Sequence, residues 1–427
     1  MITSKKTDGT YGEIGFIKVK QEDGSYKDIE HQYDNKGNLI FEKGFTRSKE
    51  GVLPLVINGI GKPLKDYDIE GNISQATTPT VDSPQEVKGV GEYDEITGKY
   101  KISVVSRGKN LWYLQSSYSF TTYYDINVNI NAGHYLSYII ETNGTTDVYG
   151  GTGCQLTFSD NTTQYVLFNA TYRKSILLSK DVKIVRVYAG KDYNTSVGFT
   201  ATVSEIMVSA NADDSYEPYT PPITTPICID SPLYKIGDYS DSISMTEEVR
   251  AIKELVLTGE ESWQLHTNDT TIYQFYTNLP TDKISTSGLS AYSNIVEYGA
   301  TANNRHEHKF GCYPVINGTQ IAFQMQGVKE QFADISAWKS YLAAQHANGT
   351  PVTIYYVLAE PEVTEVEPVD IPTLNGTTVI DVDTEVKPSN MWVEYKSSTS
   401  EYNPVALRTT DNQALYTADN EILQTRR

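Results

Sequence analysis

His306-Glu307-His308 sets two imidazoles two residues apart, and in a β-strand residues i and i+2 face the same side, so both rings could reach one cation. The spacing supplies no third ligand. His306 and His308 therefore stand as weak metal candidates without a defined site, and no cofactor is expected. Carboxylates are so frequent, 54 Asp and Glu in 427 residues, that finding two near each other in sequence carries no meaning. A glycosidase needs two of them about 5 to 10 Å apart across a sugar ring, a separation that sequence does not reveal. Asp238 and Asp241 fall in a strand-and-turn phrase and are read as turn residues. The chain contains no G-x-S-x-G, no P-loop and no H-E-x-x-H. No catalytic residue is assigned, and enzymatic activity is not expected.

Aromatic side chains offer a different chemistry, because a pyranose face stacks on an indole or phenol ring. Tyrosine is the compositional outlier, with 32 Tyr against 11 Phe. Its ring packs on a pleated surface while its hydroxyl stays wet, which suits exposed sheet faces and adaptable binding surfaces alike. The densest group is Trp112-Tyr113 with Tyr118, Tyr123 and Tyr124, and Trp263 with Tyr273 and Tyr276 is the second. Trp112, Tyr118, Tyr124, Trp263 and Tyr276 are the glycan-contact candidates. For Trp112 core packing is the first expectation and ligand contact the second. Trp338 is assigned to the core by its helical phase, and Trp392 is expected there too.

Short β-strands must position these rings, and the fold class expected is mainly β. Residues 1–48 read as a small N-terminal docking unit: Gly15-Phe-Ile-Lys-Val-Lys20 alternates apolar and polar, and Asp23-Gly24 supplies a hairpin turn. Residues 49–96 read as a strand, Leu53-Pro-Leu-Val-Ile-Asn-Gly59, followed by a connector in which Pro79 and Pro84 sit amid Ser and Thr. From 97 to 226, strands such as Lys101-Ile-Ser-Val-Val105 and Tyr135-Leu-Ser-Tyr-Ile-Ile140 alternate with polar turns, the pattern of a jelly-roll-like β-sandwich. Four prolines between 218 and 226 mark a boundary. A second sandwich is expected over 227–398. It carries one short helix at about 334–347, with Ile335, Trp338 and Leu342 on one face, Asp334 or Ser336 as its cap and Gly349 at its end. Residues 399–427 hold a near repeat, Thr410-Asp-Asn-Gln-Ala-Leu415 and Ala418-Asp-Asn-Glu-Ile-Leu423, read as a terminal arm or hairpin.

Bulk properties narrow the partners. The net charge is −19, from 35 basic and 54 acidic side chains. That argues against a nucleic-acid binder, which needs positive charge to displace phosphate counterions. No segment approaches the roughly 18 apolar residues of a membrane helix, and no apolar run follows the first lysines as a signal peptide would require. Cys154, Cys228 and Cys312 are three, widely spaced and without C-x-x-C, so they read as small buried side chains made in a reducing cell.

Several phrases resemble the connecting segments of modular tail and baseplate proteins in phages of Gram-positive, gut-type bacteria. They are Tyr67-Asp-Ile-Glu-Gly-Asn-Ile-Ser-Gln75 with Pro79 to Val90, the Gly108-Lys-Asn-Leu-Trp112 opening, and Glu205-Ile-Met-Val-Ser209 with Ser215-Tyr-Glu-Pro-Tyr219. Ser231-Pro-Leu-Tyr-Lys-Ile-Gly-Asp-Tyr-Ser-Asp241 and Gly349-Thr-Pro-Val-Thr-Ile-Tyr-Tyr-Val-Leu-Ala-Glu-Pro361 complete the series. Asn131-Ala-Gly-His-Tyr-Leu-Ser137 resembles a strand that carbohydrate-binding jelly rolls place across their body. The resemblance covers roughly residues 33 to 398. It implies a virion structural protein of the distal tail, a baseplate or receptor-binding component, made in the host cytoplasm and presenting sandwich modules to host glycans or wall polymers. Its partners would be other tail or baseplate proteins and the host surface, with no nucleic acid and no membrane, and its state a homo-oligomer, most simply a trimer. The chain lacks the long heptad region of a fibre shaft, which favours a compact appendage. Two other readings stay open: a structural adaptor or head decoration fibre without receptor contact, and a tail-borne glycan-degrading enzyme.

Overall fold

The computed structural model describes residues 53–75, 79–120, 123–142, 152–168, 174–189, 201–212, 215–266, 272–280, 291–295, 309–311, 320–326 and 332–397, with residue 51 and short stretches before residue 49. The chain divides into two compact units. Unit 1 holds residues 1–104, 225–373 and 381–427; unit 2 holds 105–224 and 374–380. The protein is mainly β, in multiple antiparallel sheets with one helix among the described residues, as the alternating pattern implies.

Unit 2 is built from two four-stranded sheets. One has the order Tyr118–Phe120, Ala201–Ser209, Tyr135–Thr142, Lys174–Leu177, and the other Tyr123–Ile130, Val182–Ala189, Thr152–Phe158, Thr163–Phe168. Numbered along the chain from Tyr118, the eight strands lie 1-8-3-6 and 2-7-4-5. Successive strands thus cross between sheets except at the 4-5 hairpin, which is jelly-roll topology. Alternation drives it. Ile126, Leu156, Val185 and Val187 meet Leu136, Ile140, Val203 and Val208 in an apolar core, while Asp125, Asn127, Gln155, Thr157 and Arg186 beside the first four are exposed or half-buried. A register slip between Ser137 and Ile139 against Ala201–Ser209 leaves a bulge at Glu205, which adopts φ 51°.

Unit 1 carries a seven-stranded sheet in the order Ala291–Ser293, Thr353–Glu365, Glu247–Val256, Ser242–Ser244, Asp66–Glu70, Asn390–Lys396, Phe45–Arg47. A five-stranded sheet includes Glu92–Asp94, Leu55–Ile60 and the strands in which the unit boundaries fall, Lys99–Arg107, Ile223–Ile229 and Asn375–Asp383. A four-stranded sheet, Gln264–His266, Ile272–Asn278, Gln320–Gln326, Lys309–Gly311, shares its core with the helix Ile335–Ala347 and with Val352 to Leu358. Asp334 caps the helix, its side chain accepting from the Ala337 amide at 2.9 Å, and Gly349 follows its end at φ 76°. Trp338 stacks on Phe275 at 5.2 Å and on Tyr341 at 5.6 Å, at the centre of an aromatic cluster.

Several expectations change. Residues 49–96 do more than connect: Leu55–Ile60, Asp66–Glu70 and Glu92–Asp94 are strands of the unit 1 sheets, so that unit is assembled from separated stretches of chain. Trp392 is half-buried on the outward side of its strand, with the Arg47 guanidinium 3.6 Å from its ring centroid. Cys228 is exposed, whereas Cys154 is buried and its thiol is pushed up to about 12 by desolvation. The arm expected at 399–427 lies outside the described residues, as do Cys312, His306 and His308.

Candidate glycan-contact surface

The Gly108-Lys-Asn-Leu-Trp112 phrase opens the jelly-roll unit through one buried amide. The Asn110 side chain accepts from the amides of Trp112 at 2.9 Å and Val208 at 3.2 Å. It also donates to the carbonyls of Ile206 at 3.3 Å and Glu217 at 2.9 Å. Lys109 adds a hydrogen bond to Ser215 at 2.6 Å and an ion pair with Glu217 at 3.4 Å. Three phrases that are distant in sequence, 108–112, 205–209 and 215–219, are therefore pinned at one point. An asparagine used at both ends of its amide explains why a polar residue stands 2% exposed.

That anchoring decides the fate of Trp112. Its ring is 3% exposed, packs in the jelly-roll core, and donates its Nε1–H to the Gln115 carbonyl at 2.9 Å. Trp263 is likewise buried, at 6%, edge-on to Trp338 at 5.4 Å, with Nε1 bonded to Glu261. At these exposures neither indole offers a stacking platform, and both leave the set of contact candidates. Their sequence neighbours suggested a surface platform, but burial in each case repays a large apolar area. Tyr276 is half-buried on the outer side of its strand, opposite Gln264, to whose Oε1 its hydroxyl donates at 2.6 Å.

Tyr118 and Tyr124 come together. Their ring centroids lie 4.8 Å apart with the planes tilted by 31°, Tyr124 is exposed and Tyr118 is half-buried against the core. Burial is the first cause, and the Tyr124 phenol the second, of a raised Tyr118 pKa, so the Tyr118 hydroxyl stays protonated at neutral pH. Tyr123, one residue earlier, faces the other side of the strand, where the Arg186 guanidinium lies 4.4 Å from its ring centroid.

On that outer face the strand register sets Asp125, Arg186, Gln155 and Tyr165 side by side on four adjacent strands. Arg186 grips Asp125 through Nε at 2.5 Å and a terminal nitrogen at 2.7 Å, and Gln155 donates to the Tyr165 hydroxyl at 2.8 Å. The result is a line of donors and acceptors flanked by two exposed rings, Tyr123 and Tyr165. Sugar hydroxyls and ring faces are met by groups of this kind. Sequence reasoning did not find Asp125, Gln155, Tyr165 and Arg186. Their shared register across strands from 125 to 186 is invisible until the sheet order is known, although outward alternation was readable in each strand alone.

A small pocket of about 130 Å³ lies nearby in the same unit, floored by Trp112 and Val208 and lined by the exposed Tyr113 and by His134. His134 belongs to the Asn131 to Ser137 phrase, and its Nδ1 lies 3.2 Å from the Asn131 carbonyl oxygen. Among the described residues no group of three or more His, Cys, Asp or Glu is placed to hold a metal ion, and no helix is long and apolar enough to cross a membrane. Compared with known proteins, the chain matches no family model, no curated sequence and no solved structure.

Proposed function

We propose that the chain is a structural protein of a phage tail, a baseplate or receptor-binding component whose jelly-roll unit attaches to host-surface glycan. The observation that carries this reading is the exposed ring of Tyr124 paired with the half-buried Tyr118 at the edge of the sandwich, beside an outer face of aligned polar groups. The connecting phrases support it from another side. Three of them meet at Asn110, and in unit 1 the Asp241 carbonyl accepts from the Gly71 amide at 2.8 Å, tying the Ser231 to Asp241 phrase to the Tyr67 to Gln75 phrase. The role is binding, without catalysis, and the partners are other tail proteins and a saccharide polymer. The acidic balance argues against nucleic acid.

Each site should bind weakly, because sugar hydroxyls exchange water contacts for protein contacts at small net gain. Adhesion then comes from several copies acting together in a homo-oligomer, with a trimer the simplest arrangement. A saccharide array and isolated Gram-positive cell walls, probed with the purified full chain, test this. Binding is expected, with a loss of about tenfold for Tyr124→Ala and an unchanged melting temperature, since an exposed ring supports little core. Absence of binding to every saccharide and wall, or a Tyr124→Ala variant that binds as the parent does, would overturn the reading.

A further inference from the structure

Unit 1 contains a cleft of about 580 Å³ that none of the sequence motifs announces, a volume within the usual range of small-molecule sites. Tyr100, Tyr234, Tyr355 and Glu254 meet in its wall. Glu254 lies directly opposite Tyr355 where Glu247–Val256 pairs with Thr353–Glu365, and the Tyr355 hydroxyl lies 3.4 Å from its Oε1. The rings of Tyr234 and Tyr355 are 4.8 Å apart and tilted by 56°. Both are 5% exposed, so their positions are fixed by packing. Tyr93 closes one side, edge-on to Tyr100 at 5.4 Å.

Electrically the cleft is one-sided. Glu86, Glu92, Glu254 and Glu385 line it against a single cation, Lys88, which is already held by Glu385 at 2.7 Å and Glu86 at 3.6 Å. Neighbouring Lys253 pairs with Glu362. Among the described residues Glu254 has no cationic partner. Its side chain stays accessible to solvent yet is surrounded on most sides by protein, as a group on the wall of an open cleft is. That surrounding raises its carboxyl above the usual glutamate range, and the Tyr355 hydrogen bond only partly offsets the effect. The Tyr234 and Tyr355 phenols are raised as well, by burial first, with the Glu254 charge contributing to both, so both stay protonated and bonded within the wall.

A carboxylate short of a counter-charge, set among phenol rings, is an environment that an ammonium group completes. It supplies the missing charge, and the exposed ring in the same cleft is that of Tyr93, since Tyr234 and Tyr355 are buried. The rim carboxylates Glu86 and Glu92 can accept hydrogen bonds from hydroxyls. We propose that this cleft binds a hydroxylated ligand carrying a free ammonium group, of the hexosamine class, with the ammonium seated at Glu254. N-acetylation would remove the charge and leave Glu254 unpaired. The assignment concerns unit 1 alone and does not rest on the glycan reading of the jelly-roll unit.

Titration calorimetry of the full chain with glucosamine, N-acetylglucosamine and glucose tests it. Glucosamine should bind measurably and the two neutral sugars about tenfold more weakly or not at all. Glu254→Gln should lose that preference while its thermal melt stays that of the parent, because the side chain reaches solvent, and Glu254→Asp should keep part of it. Affinity for glucosamine should fall as pH is lowered into the range where Glu254 protonates, and should weaken with added salt. Failure of glucosamine to bind, equal binding of all three sugars, or a Glu254→Gln variant with the parent's preference would each overturn the proposal. None of these outcomes bears on binding through Tyr124.

Discussion

The residue that best separates structure from chemistry is Asp241. Its place in a turn phrase was legible, but its task was not. It is fully buried and accepts from the amides of Tyr234 at 3.0 Å and of Ala251 and Ile252 at 2.8 Å each. Those last two amides lie at the register slip between Arg250 and Ile252, where the ladder cannot satisfy every donor. Arg250 approaches the same carboxylate at 3.4 Å and holds the carbonyls of Ser231 and Pro232 at 2.6 Å each. Nearby Gly71 has no room for a side chain, since a Cβ would stand 2.3 Å from the Tyr234 carbonyl oxygen. Asp241→Asn should cost about 2–4 kcal/mol in urea denaturation at pH 7, because one acceptor turns into a donor facing buried donors. Burial lifts the Asp241 carboxyl from 3.8 to about 6 against the pull of the amides and Arg250. The folded state therefore keeps this proton to higher pH than the unfolded chain. The associated stability is complete below about pH 4 and is lost as pH rises through 6. The gap between the parent and Asp241→Asn should accordingly narrow from pH 4 to pH 7. A gap that widens would contradict the assignment.

At the scale of elements, the helix was the most legible feature. Spacing predicted it over 334–347 with Asp334 or Ser336 as the cap, and it runs from Ile335 to Ala347 with Asp334 capping. The physical reason is local: cap, phase and stop signal all lie within one short stretch of sequence. Strands were legible for the same reason, as in Lys101 to Val105, where Ile102 and Val104 are buried between half-buried neighbours. The aromatic candidates were less legible because ring-rich sequence reports that rings are present and not which way they face. Trp263 and Trp338 share one cluster with Phe275 and Phe323, and that cluster joins the helix to the sheet. Trp338→Ala should lower unit 1 stability by about 3–5 kcal/mol, read as an earlier thermal transition. A melt within about 1 °C of the parent would show the helix to be dispensable to that core.

For the whole molecule, pairings across long sequence distances limited what could be read. Unit 1 combines strands near residues 55, 66 and 92 with others beyond 240 and 375, and the cleft at Glu254 draws on the same distant pieces. No local pattern encodes such company. The jelly-roll unit, continuous except for 374–380, was correspondingly easier to foresee. Placement of the chain in an intact particle tests the central proposal most directly. Electron cryo-microscopy of virions carrying this chain should locate it at the distal end of the tail, in symmetric copies, with the jelly-roll edge bearing Tyr118 and Tyr124 facing outward. Density for the chain on the head or collar, or with that edge buried against a neighbouring protein, would contradict it.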